Sequence, residues 1–180
     1  MIATTKPSSN GHHMFADVIS GFLGTLLAAA VFFLLKEYVF TIPKFSGMFY
    51  LKSVTEGSKR NPYVGLTVYH TLVLYSDGVS LEGSSEKTGE INNIGEGLPY
   101  YGEHRRRGKV SGRIQRNYFK PSTLNLHIEE DGELRVSSIY VGFKVTRQTI
   151  LDGYFRSTAA DSSGITLWFD QPLPEHPTRP

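Results

Sequence analysis

Between Val18 and Leu35 the chain reads VISGFLGTLLAAAVFFLL, 18 residues without a charged side chain. At about 1.5 Å per residue a helix of this run, carried on to Phe40, is long enough to cross the ~30 Å hydrocarbon layer of a bilayer. The surface helix of a soluble domain would interrupt its apolar stripe with polar positions, and this run does not. A cleaved secretory signal has a shorter apolar stretch, a positive lead-in and a small-residue cleavage site. Only Lys6 precedes the run, and Lys36, Glu37, Tyr38 and Val39 offer no such site. The expected layout therefore starts with a polar tail over 1–15 and one transmembrane helix over 16–40.

Flanking charge gives an orientation. Lys36, Lys44, Lys52, Lys59 and Arg60 follow the span, against Lys6 before it. Positive charge gathers on cytoplasmic flanks, so the C-terminal part is expected in the cytoplasm. Tyr38 and Phe40 fit an interfacial aromatic belt. Within the span, Ser20, Gly24 and Ala28 recur at helical spacing and free one face of bulk, as do Gly21, Thr25 and Ala29 beside them. Small residues let helix backbones approach in lipid, which makes this face a candidate for homo-oligomerisation.

Beyond Pro43 the periodicity changes to two, with β-branched and aromatic residues and a turn signal every dozen residues or so. Strands are expected at 45–54, 64–75, 79–91, 109–119, 123–130, 133–145, 150–159 and 165–170. Ser76-Asp77-Gly78, Lys120-Pro121-Ser122, Asp131-Gly132 and Asp161-Ser162-Ser163-Gly164 supply turn chemistry between them. Eight strands joined by short hairpins favour an all-β fold, an up-and-down antiparallel lipocalin-like barrel over 44–171, because closure removes exposed edges. Residues 92–108 form the exceptional connection, long and glycine-rich, and are expected as a lid or rim loop. The proline-rich stretch 172–180 is expected to be disordered.

Function classes narrow by exclusion. The chain has no cysteine, so disulfides, thiolate metal sites and a cysteine nucleophile are out. Its formal net charge of +2 is too small to point to polymeric nucleic acid. The six histidines show no metal-ligand spacing, and no P-loop, G-x-S-x-G or dinucleotide fingerprint occurs. Neither an enzyme nor a cofactor is expected.

Cations and aromatics concentrate between Tyr100 and Tyr118. Arginine forks suit phosphate oxygens and tyrosines stack on bases, which makes a nucleotide a reasonable guest for a barrel of this size. Arg113 and Arg116 differ in parity, so only one can face the barrel interior, and the row Val110, Gly112 and Ile114 puts Arg116 and Tyr118 there. The row Leu66, Val68, His70, Leu72 and Leu74 likewise places His70 inside. Arg116, Arg113, Tyr118, Asn117, His70 and Tyr69 are the candidate ligand residues. Arg105, Arg106 and Arg107 read as a solvated rim facing lipid headgroups or the acidic run Glu129, Glu130 and Asp131.

The sequence Pro43-Lys44-Phe45-Ser46-Gly47-Met48-Phe49-Tyr50, where a linker enters the first strand, and Leu81-Glu82-Gly83-Ser84-Ser85 on the third join this layout in resembling a family. It is that of the membrane-anchored β-barrel effectors of bacterial cyclic-oligonucleotide antiphage defence, the CBASS-type receptors whose minimal barrel replaces STING. The resemblance implies an inner-membrane effector whose cytoplasmic barrel binds a cyclic oligonucleotide and whose membrane helices assemble and disrupt the bilayer. That family commonly has two membrane helices, and this chain shows one. A tethered carrier of an apolar ligand and a structural membrane partner are the competing readings. Basic and aromatic lining of a cavity would favour the receptor, a wholly apolar lining the carrier, and a filled barrel the structural partner.

Overall fold

The computed structural model describes residues 10–35, 44–102, 105–117, 120–132, 135–146 and 150–173. Two compact units divide at Ile42 and Pro43. The first contains helix α1, Asn10–Leu34, within which Phe15–Leu34 is 20 residues long, with mean hydropathy 2.0, and meets the length and composition needed to cross a membrane. Two of its hydroxyls bond back onto the helix: Ser20 donates to the Asp17 carbonyl and Thr25 to the Gly21 carbonyl. The helix starts before the expected Ala16, and residues 36–40 lie outside the described residues.

The second unit is a closed antiparallel barrel. Its strands are β1 (Gly47–Gly57), β2 (Thr67–Asp77), β3 (Ser80–Ile91), the short β4 (Gly97–Pro99), β5 (Arg106–Gln115), β6 (Ser122–Asp131), β7 (Val136–Val145), β8 (Leu151–Ser157) and β9 (Ser162–Phe169). Each long strand pairs with the next, and β1 pairs with both β2 and β9, so eight strands close the ring. This is the expected meander.

Two boundaries differ from expectation in ways that matter. Strand β5 begins at Arg106 rather than at residue 109, because Lys87↔Arg106 and Glu86↔Arg107 continue its ladder with β3. Within 92–108, expected as a lid or rim loop, the strand β4 pairs with Gly89–Ile91 beyond the point where β5 leaves β3. It extends the barrel wall. Residues 174–180 of the proline-rich stretch lie outside the described residues.

Alternation along the strands turns one residue in two inward. At the end of the barrel that begins with Phe45, those residues are apolar and interlock. Trp168 meets Phe45 edge-on at 5.6 Å, Phe143 at 5.6 Å and Phe49 at 4.6 Å. Leu51, Leu74, Leu81, Ile114, Leu124 and Leu151 are buried there as well. Inward glycines let the walls close up. A Cβ at Gly112 would stand 2.5 Å from Leu126 Cδ2 and 2.7 Å from the Asn125 carbonyl oxygen. The interior of this end is therefore filled.

Followed toward the other end, the same inward rows become polar strand by strand. Leu51 gives way to Ser53 and Thr55 on β1, Leu72 to His70 on β2, Ser85 to Lys87 on β3 and Ile128 to Glu130 on β6. Ile139 gives way to Ser137 on β7, Phe155 to Ser157 on β8 and Thr166 to Ser162 on β9. That end is open.

Candidate functional site

The open end holds a cavity of about 490 Å³, within the usual size range of small-molecule sites. Its lining combines cations (Arg60, Lys87, Arg106, Arg135), hydroxyls (Ser53, Thr55, Ser137, Ser157, Ser162) and an apolar wall of Leu66, Val68, Ile139 and Phe155. His70 and Glu130 also line it, His70 Nε2 standing 2.6 Å from Glu130 Oε1. Both residues are over nine-tenths buried.

Glu130 is held in its charged form. Burial pushes its carboxyl upward, but the hydrogen bond and charge from His70, with the fields of Lys87 and Arg106, outweigh burial and set the pKa below the ordinary value. An ionised carboxylate only accepts, so His70 Nε2 donates. His70 Nδ1 is then left buried without a partner among the described residues.

Lys87 owes its position to a bulge. Tyr69 pairs with Gly89 but His70 with Lys87, so Thr88 is an extra residue in β3. Three residues apart on a regular strand, Lys87 and Glu90 would face opposite sides; across the bulge they meet at 2.7 Å. Lys87 Nζ also lies 5.1 Å from the centroid of the Tyr100 ring. The Tyr100 hydroxyl is pushed up to about 12 by burial first and then by Glu90. It stays protonated.

The rim is clamped as well. Ser58 Oγ and Lys59 N both donate to the Ala160 carbonyl, at 3.0 and 3.1 Å, and Lys59 Nζ reaches Asp161 at 2.7 Å. These bonds tie the β1–β2 connection, which carries Arg60 and Tyr63, to a β8–β9 turn in which Ala160 and Asp161 both have positive φ. That left-handed backbone costs energy in non-glycine residues and is held here by its partners. Arg60, Arg106 and Arg135 have no carboxylate partner among the described residues.

Of the residues singled out from the sequence, His70 alone reaches this cavity. Tyr69 is buried with the opposite parity and does not line it. Arg113 and Arg116 line a separate recess of about 400 Å³ at the filled end. The parity that put Arg116 inside does not reach it, because β5 ends at Gln115 and Arg116 is exposed. Asn117 is engaged locally, its side-chain amide donating to the Pro121 carbonyl at 3.1 Å. Tyr118 lies outside the described residues.

Arg106 is the residue missed. With β5 starting at Arg106, it continues the inward row of Gly108, Val110, Gly112 and Ile114, while its neighbours turn out and pair with Glu86: Arg105 at 2.9 Å and Arg107 at 3.6 Å. Chain neighbours in one basic run thus have different fates. Lys87, Glu130, Arg60 and Arg135 were also not singled out as site residues, although the even parity shared by Leu124, Leu126 and Ile128 already placed Glu130 inside.

No family model matches this chain, and no curated protein matches it in sequence. What the site can do rests on its own chemistry. Three arginines without carboxylate partners among the described residues suit an anion, the hydroxyls suit a polar body, and Tyr63, which lines the cavity with Arg60, has an exposed ring.

Proposed function

We propose that this protein is a membrane-tethered, non-catalytic receptor whose open-ended barrel binds a small phosphate-bearing ligand. A cyclic oligonucleotide is the ligand class that the family resemblance adds. The observation that carries the reading is the cavity itself: arginines without an ion-pair partner among the described residues line it together with a buried His70–Glu130 pair at 2.6 Å, in a space of small-molecule size. An apolar cargo would gain nothing from those cations and hydroxyls, which speaks against the carrier reading.

In this reading α1 anchors the chain in the bacterial inner membrane with the barrel in the cytoplasm, and the row Ser20, Gly24 and Ala28 brings helices together. Small side chains at these three positions would let two helix backbones approach closely in lipid. Assembly of occupied receptors then disrupts the bilayer.

Calorimetric titration of the full chain in detergent with a panel of cyclic di- and trinucleotides tests the ligand. Saturable binding of one member is expected. If no member binds at about 100 micromolar protein, the reading fails.

A further inference from the structure

We infer that the barrel pairs with a second copy of itself through the outer wall of β8, β9 and β1, about a two-fold axis that runs along β9. The outward side chains at the centre of this wall are apolar. Tyr154 on β8 is 67% exposed and Ile165 on β9 is 45% exposed, while Val54 on β1 and Leu167 and Phe169 on β9 are half-buried. The register makes them contiguous: Tyr154, Ile165 and Val54 stand side by side across the three strands, and Leu167 and Phe169 continue the row along β9. Gly142, beside Tyr154 on β7, keeps the surface flat. The Tyr154 ring lies over this glycine, where a Cβ would stand 3.0 Å from Tyr154 Cζ, and leaves Ile165 uncovered.

The opposite wall has another character. Its outward positions on β3, β5 and β6 include Glu82, Lys109, Ser111, Arg113, Asn125 and Glu129, all exposed and none apolar. Water solvates that surface, whereas monomeric proteins seldom leave a contiguous apolar band bare. Charge then selects the occupant of the band. Leu167 is flanked in the register by Asp152 on one side and by Lys52 on the other. A half-turn about an axis through Leu167 along its strand lays Lys52 of each copy over Asp152 of the other, so that the contact is made twice. The same operation sets Tyr154 against Val54 and places Ile165 and Leu167 on their own counterparts. An apolar partner would leave the Asp152 carboxylate covered without a cation, and a second copy supplies one. This pairing does not depend on what the cavity binds.

The chain has no cysteine, so a single reporter thiol can be placed on either wall. Full-length Ile165→Cys in detergent, treated with a short bis-maleimide suited to the ~10 Å spacing of packed sheets, should link to a second copy several times faster than Ser111→Cys on the opposite wall. Lys52→Asp or Asp152→Lys, added to Ile165→Cys, sets like charges face to face and should slow linking about fivefold. The exchange Lys52→Asp/Asp152→Lys should restore it. Equal rates at positions 165 and 111, no response to either single reversal, or no rescue by the exchange would overturn the inference.

Discussion

The two ends of the barrel are built from the same eight strands, yet one is solid and the other hollow. At the filled end, inward positions hold Trp168, Phe143, Leu124 and Ile114 with rings in contact. At the open end the same rows hold Ser53, His70, Lys87, Glu130 and Ser157 around a cavity. Apolar contact holds the fold, and polar side chains that cannot fill space leave room for a ligand. Close packing and open space are thus separated along the barrel axis, and the variants below test whether stability and the proposed recognition divide the same way.

The largest effect is expected at the filled end. Phe143→Ala removes a ring with no exposed surface that packs edge-on against Trp168, and should lower unfolding free energy by about 4 kcal/mol. Trp168 is the only tryptophan, so its fluorescence follows this end during denaturation. Ser137→Ala at the open end should stay within about 0.5 kcal/mol of the parent. Equal losses would mean that packing does not differ between the ends.

Next comes the pair beneath the cavity. Glu130→Gln takes the charged partner from a buried histidine and should cost about 3 kcal/mol. It should also change the acid limb of the stability curve. The folded-state pKa of Glu130 lies below the ordinary 4.5, so its contribution is full above that value and is lost as pH falls through the folded value. The parent should lose stability on acidification below about pH 4.5, and Glu130→Gln should lose less. Parallel acid limbs would show that the pair is not coupled to folding.

A smaller effect separates neighbours within the basic run. Arg106→Ala should weaken ligand binding by about 2 kcal/mol, roughly thirtyfold, because a charge-assisted bond in the cavity is lost. Arg107→Ala, an exposed side chain 3.6 Å from Glu86, should cost less than about 1 kcal/mol. Similar losses in both would return the whole run to the status of a rim.

Periodicity carried most of the architecture. The eight strands, their meander order and the inward placement of His70 follow from period-two rows and turn residues. The site was less legible, for local reasons. A three-residue shift in where β5 begins decides whether Arg106 is rim or cavity, and that start is set by pairing with Glu86 and Lys87 rather than by its own residues. The bulge at Thr88, which joins Lys87 to Glu90, has no strong sequence signature. Glu130 lies inside a three-residue acidic run whose outer members are exposed, and that charged context masks the parity that turns Glu130 inward. The glycines of 92–108 signal a connection and do not reveal that β4 pairs with the end of β3.

The central claim is that the hollow end, and not the recess at Arg113 and Arg116, takes the ligand. Titration of one cyclic nucleotide into matched charge reversals at the two ends tests it most directly. Arg106→Glu should abolish measurable binding, while Arg113→Glu should stay within about twofold of the parent. Loss of binding in Arg113→Glu with Arg106→Glu unaffected would place recognition at the wrong end of the barrel and contradict the account.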